Sequence, residues 1–184
     1  MLGVRLLCLS VLAVAAAGCG QSVTQHTTGR AKARRATSPT RACSTSDLEL
    51  WLGLGEGGAA AGSTYYPLEL TNVSRSSCRL FGFPGVSAVR SRQLGSPAER
   101  DRSHAPRRVV LAPGETAHTV LRIVDVANYP AGRCRPTTAI GLRVNPPDQR
   151  TSAEIPFAFR ACSRAGPVFL SVGAVEPGVG IPGH

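Results

Sequence analysis

The chain has 184 residues, 42% of them hydrophobic, with 21 Lys and Arg set against 11 Asp and Glu for a net charge of +10. That length accommodates one full domain with little left for a second, and the hydrophobic content excludes a wholly disordered chain. No segment reaches the roughly 20 consecutive apolar residues of a membrane-spanning helix. Lys32 is the one lysine, and the Arg-, Ala-, Gly- and Pro-rich composition reads as codon bias, so basicity alone names no partner.

Residues 1–18 read as a signal peptide. A short, weakly positive start (Met1 to Arg5) precedes an apolar run from Leu6 to Ala17, a length that suits export and is too short to span a bilayer. The boundary Ala16-Ala17-Gly18-Cys19 resembles a bacterial lipobox, in which a diacylglyceryl thioether forms on the Cys before cleavage ahead of it. Ala16 departs from the usual Leu. Cys19 is therefore the expected lipidation site, with thioether and fatty acyl (palmitate) chains. Two or three acyl chains, at about 0.8 kcal/mol per buried CH₂, anchor a protein stably. The expected location is the outer face of the cytoplasmic membrane; cleavage after Ala17, releasing a secreted form, is the alternative.

Residues 19–42 form a polar tether. Arg30, Lys32, Arg34, Arg35 and Arg41 fall here and no acid does. As a flexible coil, residues 21–42 would separate their ends by about 23–28 Å. Beyond it Cys43, Cys78, Cys134 and Cys162 remain, an even set that reads as two disulfides in an exported protein. Of three possible pairings, Cys43–Cys78 and Cys134–Cys162 close moderate loops and brace each half of the domain. Zinc ligation would want C-x₂-C pairs or His at ligand spacing, and neither occurs.

From residue 43 to 184 the dominant period is two. Leu48, Leu50 and Leu52 alternate with Asp47, Glu49 and Trp51, which leaves Trp51 partly exposed. Tyr66, Leu68 and Leu70 follow, with Asn72 as a turn or strand-end residue. Val109–Leu111 and Thr116–Val126 flank Pro113-Gly114, which suits a type II turn with glycine at positive φ. Ile140, Leu142 and Val144 then alternate, as do Ile155, Phe157 and Phe159, and Val168, Leu170 and Val172. About eight short strands, Gly/Pro turns and two Cys pairs predict an all-β, disulfide-braced antiparallel sandwich of immunoglobulin-like architecture.

The motifs Tyr66-Pro67-Leu68-x-Leu70-Thr71-Asn72-x-Ser74, Cys78-x-Leu80-x-Gly82-Phe83-Pro84-Gly85, Leu111-x-Pro113-Gly114-x-Thr116-Ala117, Cys134-x-Pro136 and Leu142-Arg143-Val144-x-Pro146-Pro147, with Cys43, Cys162 and Leu170-x-Val172, together resemble a family of actinobacterial exported proteins and lipoproteins defined by a shared domain of unknown function. The resemblance spans about residues 43–177. It implies an envelope location and a disulfide-braced β fold, and it supplies no catalytic residue.

Chemistry has few places to reside. Gly53-Leu54-Gly55-Glu56-Gly57-Gly58 matches G-x-G-x-x-G but leads into another predicted strand, where a dinucleotide site needs a helix. It reads as an inter-strand loop, and no cofactor is expected. Residues 90–108 form a predicted long loop whose arginines, Arg90, Arg92, Arg100, Arg102, Arg107 and Arg108, could engage a phosphate or carboxylate. No aromatic is interleaved with them, which argues against nucleic acid. His104 lies in that loop and His118 on a predicted strand. No nucleophile elbow or H-E-x-x-H is present. The expectation is a lipid-anchored, non-enzymatic module that binds or scaffolds an envelope protein or anionic polymer. An extracytoplasmic hydrolase with a site near His104 or His118 is one alternative, and a purely structural surface protein the other.

Overall fold

The computed structural model describes residues 39–54 and 58–180. The signal peptide, Cys19 and the tether up to residue 38 lie outside the described residues, as does the middle of the glycine run.

Thirteen strand segments occur among the described residues: β1 (Leu48–Leu52), β2 (Ala59–Ala60), β3 (Ser63–Asn72), β4 (Cys78–Phe81), β5 (Gly85–Val89), β6 (Gln93–Leu94), β7 (Glu99–Arg100), β8 (Arg108–Leu111), β9 (Thr116–Val124), β10 (Pro136–Asn145), β11 (Ala153–Cys162), β12 (Leu170–Val172) and β13 (Glu176–Pro177). The larger sheet runs β1-β3-β9-β12-β7, with β2 added to β3 and β13 to β9. The second sheet runs β11-β10-β5-β6, and β4 pairs with β8 apart from both. All pairings between these strands are antiparallel except β12 with β7. The fold is a sandwich-like all-β domain, as the alternation predicts.

The alternating residues account for the layers. Leu68, Leu121, Leu170 and Val172 of the larger sheet pack against Val86, Ala88, Leu142, Val144 and Ile155 of the second, all of them buried. A separate apolar cluster joins Leu48, Leu70 and Ala117 to Leu80, Val109 and Leu111 of the β4–β8 pair. The disulfides divide between the two: Cys43–Cys78 lies in the β4–β8 cluster and Cys134–Cys162 in the inter-sheet core. Both pairings are those the loop lengths favour.

Local expectations hold where the period is unbroken. Trp51 is 39% exposed. The turn at Pro113-Gly114 places Gly114 at φ +82° and closes with the Glu115 N–H donating to the Ala112 carbonyl at 3.0 Å. Asn72 ends β3 fully buried: its Nδ2 donates to the carbonyls of Ser76 and Leu111, both at 3.0 Å, while Oδ1 accepts from the Ser74 N–H and hydroxyl.

Three expectations need correction. Ile140 is 57% exposed, because the β10–β11 register shifts between Ala139 and Gly141, and a bulge there turns Ile140 out while Ala139, Leu142 and Val144 stay in. Phe169, in none of the predicted alternating sets, is fully buried, and Val168 is half-buried. The stretch 90–108 is not one long loop: it contains β6, hydrogen-bonded to β5, and β7, hydrogen-bonded to β12. The folded part also takes in residues ahead of Cys43. Arg79 donates from its N–H to the Arg41 carbonyl and from Nε to the Thr40 carbonyl, and Arg41 pairs with Asp47.

Candidate functional site

Strand β9 has two successive neighbours along one edge. Its C-terminal half pairs with β12, through Leu121↔Val172, Arg122↔Ser171 and Ile123↔Leu170; its N-terminal half pairs with β13, through His118↔Glu176. Between them the chain leaves the sheet at Gly173–Val175. A cleft of about 660 Å³ opens over this gap, floored by β9 at Val120 and walled by β7 with Asp101, Ser103 and His104 after it.

Period two sets which side chains share the cleft face. Tyr65, Arg122, Ser171 and Glu99 form one cross-strand row over β3, β9, β12 and β7. Glu69, His118 and Glu176 form a second row over β3, β9 and β13. Rows four residues apart along β9 lie about 14 Å apart.

Arg122 is held at two points. Its Nε donates to the Ser63 hydroxyl at 2.9 Å, and its guanidinium carbon lies 6.0 Å from the centre of the Tyr65 ring. Among the described residues, the one ion pair within 4.0 Å is Arg41–Asp47. Among the described residues, then, no carboxylate lies within 4.0 Å of the Arg122 nitrogens, although Asp101 is near enough to interact with them electrostatically, and no cation lies that close to Glu99 or Glu176. Asp101 accepts from the Ser103 N–H at 2.9 Å. That bond, the Ser103 hydroxyl and the nearby His104 and Arg122 hold its carboxyl below the usual carboxylate range, so it is ionised at neutral pH.

The two candidate histidines border the same cleft. His104 is exposed, and its Nδ1 lies 3.1 Å from the hydroxyl of its neighbour Ser103. The Asp101 carboxylate bonds the Ser103 backbone, and among the described residues no hydrogen bond orients His104 Nε2. The arrangement is a Ser–His contact without the third group of a triad. His118 is 2% exposed, with Nδ1 3.0 Å from the Gly178 carbonyl. It anchors the C-terminal segment, a structural role. No group of three or more His, Cys, Asp or Glu able to hold a metal occurs among the described residues.

The six arginines of residues 90–108 do not line one cavity. Arg90 and Arg92 sit in the β5–β6 turn, the Arg90 N–H donating to the Arg92 carbonyl at 3.0 Å. Arg100 borders the cleft with its guanidinium 5.9 Å from the Phe83 ring centre. Arg102 is exposed after β7, and Arg107 and Arg108 border a smaller cavity of about 200 Å³ beside Val175 and Glu176. The fork best placed for a ligand is that of Arg122, which lies outside the stretch. Its sequence signal was faint: an Arg on a strand, in phase with His118 four residues earlier, where a solvated face is the ordinary reading.

A scan of the sequence against protein families matches residues 43–176 to one described as a domain of unknown function, DUF4232. A search among curated proteins finds no match.

Proposed function

Since the chain belongs to the DUF4232 family, we propose that it is an exported, non-enzymatic binding module of the cell envelope, held at the outer face of the cytoplasmic membrane by a lipid on Cys19 and binding through the cleft over β9. The observation that supports it most is the pairing of all four domain cysteines in two buried disulfides. Such pairs persist in oxidising compartments. Cys8 falls within the apolar leader and Cys19 at its end, where the lipobox-like boundary supports lipidation. The cleft supports the binding half of the reading, because it gathers an oriented cation and several carboxylates on a rigid sheet face.

Metabolic labelling with an alkyne fatty acid tests the anchor. The wild-type chain takes up label and sediments with membranes, whereas Cys19→Ala loses the label and is released. Membrane attachment that survives Cys19→Ala overturns it. Capture of envelope components on the full-length, detergent-solubilised chain tests the binding half, which predicts retention that Arg122→Gln weakens.

A second reading, an extracytoplasmic hydrolase, rests on the 3.1 Å contact of Ser103 and His104 at the cleft rim. It requires Ser103 to react with a fluorophosphonate probe, and a chain left unlabelled excludes a nucleophilic serine there.

A further inference from the structure

We infer that the cleft takes a zwitterion of the short-peptide class, its carboxylate on Arg122 and its ammonium on Glu99. The inference rests on the cleft being the binding site proposed above and names its ligand class.

Arg122 supplies the anion subsite. Ser63 fixes Nε and the Tyr65 ring centre lies 6.0 Å from the guanidinium carbon, while no carboxylate among the described residues comes within 4.0 Å of the nitrogens, Asp101 acting on them only from farther off. A fork oriented in advance loses little freedom when a carboxylate docks on it.

The cleft lining is of mixed charge, with Arg100 beside Arg122 and three carboxylates around them, which disfavours a polyanion. Glu99, Asp101 and Glu176 border the same cleft, and Asp101 stays ionised at neutral pH for the reasons given. A phosphate-rich chain would bring like charges against all three. A ligand that answers Arg122 and these carboxylates together carries a cation as well as an anion.

Spacing gives the length. Arg122 and Glu99 stand on the same face with Ser171 between them, their backbones two strand intervals or about 10 Å apart. An extended tripeptide spans about 10 Å, enough to reach from one strand to the other across Ser171.

The test is calorimetric titration of the full-length, disulfide-intact chain in detergent with triglycine, N-acetyltriglycine, triglycine amide and inorganic phosphate. Triglycine should bind, and blocking either end should weaken it at least tenfold. Arg122→Gln should reduce triglycine to the affinity of the amide without changing the amide's own affinity. Glu99→Gln, an exposed position, should do the same with respect to the N-acetyl form. A purely structural role for either side chain would not produce that selective pattern. N-acetyltriglycine or phosphate binding as tightly as triglycine overturns the zwitterion and leaves an anion-binding cleft. No heat from any probe overturns the inference and removes the cleft as the module's site, while the Cys19 anchor is judged separately.

Discussion

Glu69 and His118 stand directly opposite each other on β3 and β9, and the chain after β13 bonds to both: the Gly180 N–H donates to Glu69 Oε1 at 2.7 Å and the Gly178 carbonyl lies 3.0 Å from His118 Nδ1. The Gly178 N–H also donates to the Thr116 carbonyl at 3.0 Å. An outward-facing Glu and His are thereby 0% and 2% exposed. Ending the chain after Pro177 uncovers them and removes these bonds. We expect a loss of about 2–3 kcal/mol, since each of the three hydrogen bonds removed contributes about 0.5–1.5 kcal/mol net. Urea unfolding of the truncated and complete chains measures it, and equal midpoints would show that the segment contributes nothing.

Asp47 carries the clearest pH dependence. It accepts from both terminal nitrogens of Arg41 and from the Ser44 N–H and hydroxyl, and the Arg41 bonds foremost hold its carboxyl well below the usual carboxylate range. A carboxyl depressed in the folded state stabilises fully above its unfolded pKa of about 3.9, and the contribution is lost as pH falls below that toward the folded value. Asp47→Asn should cost about 1 kcal/mol at pH 7, a small figure because Arg41 is half exposed. The gap between variant and wild type should close as unfolding is followed from pH 5 down to pH 2.

The disulfides close separations of 35 and 28 residues. On the chain-entropy model each contributes about 4 kcal/mol. Because they sit in different apolar clusters, the paired replacements Cys43→Ala with Cys78→Ala and Cys134→Ala with Cys162→Ala should be close to additive in guanidinium unfolding. Strong non-additivity would mean that the two clusters melt as one.

Gly95 offers a steric test. Its φ is +59°, and an added Cβ would lie 2.7 Å from Phe169 Cε1 and 2.8 Å from the Cys162 carbonyl. Both neighbours are fully buried, so neither can move freely. Gly95→Ala should destabilise by about 1–3 kcal/mol, read as a lowered unfolding midpoint with the disulfides intact. An unchanged midpoint would show that the β6 turn yields.

Much of this architecture was legible because β1, β3 and β9 keep one period along their length, and a half-buried strand declares its inner face every second residue. Ile140 was misread because a bulge adds one residue without any marker of composition. Phe169 escaped because it lies just ahead of β12, where the alternation that correctly places Leu170 and Val172 no longer applies. The cleft was least legible. Arg122, Glu99 and Glu176 come from β9, β7 and β13, and a two-residue strand such as β7 leaves no periodic trace. The burial of Glu69 depends on a Gly/Pro-rich segment more than 100 positions later, where no pattern in β3 could reveal it.

The position of Cys43 also decides how the domain would bear load. A pull on the chain ahead of it first meets the Arg41–Asp47 pair and the backbone bonds to Arg79. It then reaches a covalent link to Cys78, at the start of β4. Tension from the N-terminal side therefore divides at that sulfur between the chain leading to β1 and the chain leading to β4. Residues 43–78 cannot be drawn out as extended thread while the bond is oxidised, so β1 and β3 are shielded from peeling. The domain would hang from a welded ring, and reduction of one bond would turn that ring into a ripcord.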